Sequence, residues 1–347
     1  MSQSFDIAVV GATGTVGETI VQILEEFEFP VGTLNLLASA ESAGHSVPFR
    51  GKNVRVREVD EFDFGKVQLA FFAAGPAITR SYAARATAAG CAVIDLSAGL
   101  AVEQAPNIIP EINAALLSGL TRPFQVACPS PSAAALALVI APLRDVLDVQ
   151  RVSVTACLAV SSQGREGVTE LARQTTELLN IRPLEPKVFD RQMAFNVLAQ
   201  VGTPDAQGHV PLEKRLVAEL RELLALPLLK VSATCIQVPV FFGDSFSVSL
   251  QAAGPVDLAA VNALYDAAQG VELVDAGDYP TAVGDAVGQD TVYVGRVRQG
   301  IDDASELNFW VTSDNVRKGA ALNAVQVAQL LIKDVVKDTC RQFEESF

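Results

Sequence analysis

Phe5-Asp6-Ile7-Ala8-Val9-Val10-Gly11-Ala12-Thr13-Gly14-Thr15-Val16-Gly17 decides the fold. The apolar run from Phe5 to Val10 reads as a short buried strand. Three evenly spaced glycines follow, and from Glu18 to Phe27 the spacing turns helical, with Ile20, Val21, Ile23 and Leu24 on one face. A glycine fingerprint carries meaning only between a strand and a helix, and this one lies there. Its glycines let the backbone approach a pyrophosphate, and the helix N-terminus offers free amides. The plainer alternative is a tight turn with a packing glycine. A second strand over Leu34 to Ser39 completes a β-α-β unit.

The alternation continues outward. Gln68 to Ala74 reads as a strand, Ser81 to Ala89 as a helix, and Cys91 to Leu96 and Phe124 to Cys128 as strands, which predicts a parallel, doubly wound sheet. After Arg151 the pattern changes to long strand-like runs at Val152 to Val160, Val231 to Phe242, Ser245 to Gln251, Thr291 to Val297 and Leu307 to Val311. Helices are predicted over Val168 to Leu179, Leu212 to Leu224 and Leu258 to Ala268. The Gly/Pro/Asp-rich stretch Val201 to His209 reads as an exposed loop. A last helix is expected from about Val316 towards Val336.

Bulk properties narrow the function. A net charge of −14 argues against nucleic acid or an anionic membrane as partner. No apolar run approaches the roughly 20 residues of a membrane helix, and the N-terminus lacks the pattern of a signal peptide. Five scattered cysteines (Cys91, Cys128, Cys157, Cys235, Cys340) without a CxxC pair fit reduced, buried thiols and a cytoplasmic location. His45 and His209 are the only histidines, so no metal site is expected and little material remains for histidine-based catalysis.

Val126-Ala127-Cys128-Pro129-Ser130-Pro131-Ser132 lies where an apolar strand gives way to an Ala-rich helix. Such a turn can hold a cysteine at the first helical position, where the helix dipole lowers the thiol pKa. Here that position is Pro131. Locally, Ser130 reads as an N-cap and Pro131 as a good first helical residue.

Several blocks together resemble the aspartate-semialdehyde dehydrogenases, and in particular their Usg-type paralogues. They are Gly11 to Gly17, Ala38 to Gly44, Pro110 to Asn113, Ser232 to Ser245, Val292 to Arg298 and Asp314 to Gln326, in the family's order. The resemblance implies an α/β fold: a Rossmann-type dinucleotide-binding domain over residues 1–131 with a C-terminal helix at 316–347, and an α+β substrate and dimerisation domain with a long mixed sheet over 132–315. The family's reaction is reductive dephosphorylation of β-aspartyl phosphate with NADPH, through a cysteine, a histidine and anion-binding arginines.

Matched position by position, the resemblance puts Pro131 in the nucleophile's place, Leu158 in the glutamine's, Gln237 in the carboxylate arginine's and Asp244 in the histidine's. The phosphate arginine falls at Leu100 or Ala101. Glu213 resembles the substrate-amine glutamate, with Arg215 as its basic neighbour. Cys128 is three positions early and reads as a small hydrophobe; Asp244 reads as a turn residue, although it is a base in principle. The expected cofactor-binding set is Gly11, Thr13, Gly14, Thr15, Val16, Ser39, Glu41, Ser42, Gly75 and Asn315. Glu41 replaces the family's cofactor arginine and favours NAD over NADP, since it would repel a 2′-phosphate; as a residue it reads equally as a solvated loop carboxylate. The reading is a family member inactive in the family reaction, forming a homodimer or associating with an active paralogue. The alternative is an NAD(P)-dependent oxidoreductase acting on an aldehyde or oxo group of another substrate without a cysteine nucleophile.

Overall fold

The computed structural model describes the backbone of residues 4–344 and side chains through Lys333. The chain divides into two compact units: residues up to Pro129 together with those from Ala320 onward, and Ser130–Gly319.

The first unit is a seven-stranded sheet in the order β3-β4-β2-β1-β5-β6-β7. Its strands are β1 (Phe5–Val10), β2 (Val31–Ala38), β3 (Ser46–Phe49), β4 (Lys52–Glu58), β5 (Leu69–Phe72), β6 (Ala92–Asp95) and β7 (Gln125–Ala127). All neighbours pair in parallel except β3 and β4. Helices α1 (Thr15–Glu26) and α8 (Asn323–Glu344) share one apolar core with one sheet face, while α2 (Pro76–Ala88) covers the other. The strand order reverses between β1 and β5, the place where open α/β sheets bind ligands. A short helix, α3 (Pro110–Asn113), follows β6.

The second unit is a mixed six-stranded sheet in the order β11-β12-β13-β10-β8-β9. Its strands are β8 (Val149–Leu158), β9 (Lys230–Gln237), β10 (Asp244–Ala252), β11 (Val271–Leu273), β12 (Val292–Gln299) and β13 (Glu306–Ser313). The β8–β9 and β11–β12 pairs are parallel and the rest antiparallel. Period-two alternation sets the faces: Phe246, Val248 and Leu250 are buried, while Ser245, Ser247 and Ser249 point away. Helices α4 (Pro131–Arg144), α6 (Pro211–Leu223) and α7 (Leu258–Ala267) pack on the inner face, and α5 (Gly164–Leu179) carries a separate small apolar cluster. Helix α4 is apolar all round and almost wholly buried, as a central helix requires.

The fold class holds, with local differences. Helix α2 begins at Pro76, not Ser81, because Gly75 and Pro76 make an N-cap and a first-turn proline. The β3–β4 hairpin and the short strand β11 carry little apolar signal. The strand expected to reach Phe242 ends at Gln237, just before Val238-Pro239. The last helix starts at Asn323, after one π-helical turn at Arg317–Leu322. Cys340 lies outside the residues whose side chains are described. Among the described residues no helix is long and apolar enough to cross a membrane.

Candidate functional site

At the end of β1 the three glycines do different work. Gly11 has φ of +87°, and a Cβ there would lie 2.8 Å from the backbone of Ala73 and Ala74. A Cβ on Gly17 would sit 2.1 Å from the Gly11 carbonyl oxygen, so Gly17 sets how closely α1 approaches the strand. A Cβ on Gly14 would meet only the Gly11 oxygen, at 3.4 Å; the rest of its surroundings is open. The first α1 rung runs from Glu18 N to Gly14 O, so the amides of Thr15, Val16 and Gly17 precede the ladder. An open glycine beneath helix-terminal amides fits a pyrophosphate.

The other expected cofactor positions of this unit lie on neighbouring loops. The Ser39 carbonyl accepts from the amides of Ser42 and Ala43, forming the turn after β2 that carries the exposed Glu41. Gly75 caps α2 at the end of β5 and has open space where a Cβ would be. Thr13, Thr15 and Val16 are half-buried on the glycine loop. Leu100 donates its amide to the buried Asp95, a carboxylate that also accepts from the Ser97 amide and hydroxyl.

The second unit holds the remaining set. Ser130 caps α4, its hydroxyl accepting from the Ala133 amide, and Pro131 is the first helical residue. The Glu219 carboxylate of α6 fills the space at that terminus. It accepts from the Ser130 amide at 3.1 Å to both oxygens, from the Ser130 hydroxyl, and from Arg215 Nε at 2.7 Å. A buried carboxylate thus meets the positive end of α4. Gly319 lies against Pro131: a Cβ there would be 2.7 Å from the proline Cβ. Neither Glu219 nor Gly319 stands out in the sequence; the Arg215–Glu219 spacing of four is the one visible hint. In the first unit, Cys128 is buried, and burial pushes its thiol up to about 12 despite a hydrogen bond with Asn323.

Gln237 is buried and donates Nε2 to the Leu158 carbonyl at 2.7 Å, with Ser162 Oγ at 3.3 Å. Asp244, expected to be a turn residue ahead of a strand, is instead the first residue of β10 and only 2% exposed. Its Oδ1 accepts from the Ala159 amide at 2.9 Å. Burial, reinforced by the nearby Asp314 carboxylate, pushes its carboxyl up to about 7, against the lowering effect of that amide. Asn315, expected near the nicotinamide, is buried and engaged: its Oδ1 accepts from the Gly243 amide at 3.0 Å and its Nδ2 donates to Ser161 Oγ at 3.0 Å. Glu213 is engaged too, with one oxygen on the Val210 amide and the other on the Cys235 amide, both at 3.1 Å. Among the described residues no cluster of three His, Cys, Asp or Glu could hold a metal ion.

These two units define a class: an NAD-binding domain joined to a dimerisation domain of dehydrogenase type. The family model for the semialdehyde dehydrogenase NAD binding domain matches residues 6–120, and that for the semialdehyde dehydrogenase dimerisation domain matches 140–318. The chain is 58% identical over 333 residues to a USG-1 protein homolog of Azotobacter vinelandii, covering 96% of this chain and 99% of that one. It is 40% identical over 336 residues to the aspartate-semialdehyde dehydrogenase of Shewanella sp. strain DB6705, covering 96% and 99%. Among solved structures, a probable aspartate-semialdehyde dehydrogenase from Pseudomonas aeruginosa superposes with a TM-score of 0.93 at 57% identity, over 95% of this chain and 99% of that one. Aspartate semialdehyde dehydrogenase II of Vibrio cholerae, complexed with ASA, gives 0.93 at 40% identity, over 96% and 99%. The chain belongs to the aspartate-semialdehyde dehydrogenase family.

Proposed function

We propose that this chain is a homodimeric, dinucleotide-binding member of the family that does not carry out the family's cysteine-based reaction. The observation that carries this reading is the start of α4. The first helical residue is a proline, its neighbour Ser130 is tied to Glu219, and the nearby Cys128 is buried with its thiol far from ionisation. Removing a nucleophile from a concerted set costs on the order of 10⁶ in rate. Gln237 and Asp244, a neutral amide and a carboxyl, stand where the resemblance places an arginine and a histidine, so neither the anion clamp nor the imidazole is replaced in kind.

Dinucleotide binding is supported by the open Gly14 and the free first turn of α1. Thr13, Thr15 and Val16 would line the pyrophosphate, and Ser39, Glu41, Ser42 and Gly75 the neighbouring loops. Glu41 favours NAD by accepting from a ribose hydroxyl and repelling a 2′-phosphate. When bound, the nicotinamide would supply hydride chemistry. Homodimer formation is supported by the match to the dimerisation domain and by the hydroxyl-rich outer sheet face of Ser153, Thr155, Ser245, Ser247 and Ser249.

One observation favours a second reading, an oxidoreductase of a different substrate. Asp244 is a buried carboxyl whose pKa burial pushes up to about 7, a value suited to proton transfer. Thermal-shift titration with NAD and NADP tests dinucleotide binding. Stabilisation by NAD that weakens in Glu41→Ala supports it, and no shift with either nucleotide contradicts it. A screen of aldehydes and oxo acids with bound nucleotide separates the two functional readings: turnover abolished by Asp244→Asn would favour the second.

A further inference from the structure

The geometry points to an extended acidic peptide as a ligand of the β9 edge at Val231 and Ala233, added as a further strand alongside β9 in the groove that its edge forms with α6. β9 ends the sheet. In a parallel ladder, alternate residues send both amide and carbonyl to the same neighbour. Val238 donates to the Leu158 carbonyl, so the even-numbered residues face β8 and the odd-numbered ones face outward. Gln237 is already paired in both directions with Leu198, and the Cys235 amide goes to Glu213. Val231 and Ala233 are left with amides and carbonyls that no group of the described residues closes.

Those two residues line a cavity of about 540 Å³. Lys214, Val217, Ala218 and Arg221 of α6 line it as well, together with Arg151 and His209. Lys230 lies beside Arg151 in the ladder. Among the acidic groups here, Glu213 has both oxygens on backbone amides and Asp205 is paired with Lys214. Arg151 has no partner among the described residues, and Arg221 donates Nε to the Leu229 carbonyl. In a chain of net charge −14, this groove gathers cations around unpaired strand backbone. The chain itself begins such a pairing at Leu198 and then leaves the edge through the exposed stretch 202–209. An incoming segment would continue that line for about three or four residues, roughly 10–14 Å. Its inward side chains would meet Val217 and Ala218, and its outward carboxylates would meet the lining cations.

The test is fluorescence anisotropy of the full chain with a labelled eight-residue peptide alternating glutamate and valine. The same peptide N-methylated at alternate residues keeps its charge but cannot pair. We expect N-methylation, lysine in place of glutamate, and Arg151→Glu each to weaken binding at least tenfold. Ala233→Pro, which removes an outward amide and leaves the β8 ladder intact, should do the same with the melting temperature unchanged; if it does not fold, the peptide arm still decides. No saturable binding, binding that survives N-methylation, or displacement by millimolar inorganic phosphate to the same degree as by unlabelled peptide would overturn the assignment.

Discussion

The Glu219 carboxylate reaches the Ser130 amide and hydroxyl from 89 residues away and holds them at the first turn of α4. A helix N-terminus favours a negative group, and here the protein supplies one itself. Glu219→Ala leaves the Ser130 amide without its charged acceptor in a buried place. A loss of about 1–3 kcal/mol in urea unfolding is expected, and Glu219→Gln should recover part of it. No change on Glu219→Ala would mean that this contact contributes nothing to the helix start.

Asp244 makes stability depend on pH. Its folded pKa, about 7, lies above the ordinary carboxylate value of 3.8. Below that ordinary value both states are protonated and nothing is lost. Between it and neutrality the unfolded chain ionises first, so this group's contribution falls as pH rises and levels off above about 7. Asp244→Asn should remove that slope and be more stable than the parent at pH 8, by on the order of a few kcal/mol. Equal slopes in chemical unfolding between pH 4 and 8 would refute this.

The glycine loop separates packing from ligand space. Gly17→Ala drives a methyl into the Gly11 carbonyl and should lower the melting temperature sharply. Gly14→Ala meets only one oxygen at 3.4 Å and should fold with near-parent stability while losing NAD stabilisation. Retained nucleotide binding in folded Gly14→Ala would place the pyrophosphate elsewhere.

Burial governs the thiols. Cys91, Cys128 and Cys235 are buried with pKa values pushed up to about 12, whereas Cys157 is half-buried and raised less far. Short iodoacetamide exposure of the native protein at pH 8, read by mass spectrometry, should leave Cys128 unmodified. Rapid labelling there would reopen the question of a nucleophile.

The sequence carried the glycine loop and the Ser130-Pro131 helix start because both are local: spacing and capping chemistry lie within a few residues. It carried less of the hairpin β3–β4, whose short strands set single apolar residues between serine and proline in β3 and between charged residues in β4, and of α2, whose first turn opens at a Gly-Pro pair. Long-range roles were hidden. Glu213 looks like a ligand-binding glutamate, yet its oxygens close two backbone amides, one of them 22 residues away. Asp244 looks like a turn residue because Gly-Asp-Ser has turn composition, but its burial comes from β8 and β13 on either side. Beyond its spacing of four from Arg215, Glu219 gives no signal until the fold brings it to Ser130.

Whether the start of α4 supports the family's chemistry is decided by assaying the purified chain with aspartate semialdehyde, phosphate and either NAD or NADP, following reduced nicotinamide. No rate above the enzyme-free background is expected with either nucleotide. A turnover of about one per second or faster, the ordinary range for an enzyme, would show that the proline start of α4 leaves the family reaction intact.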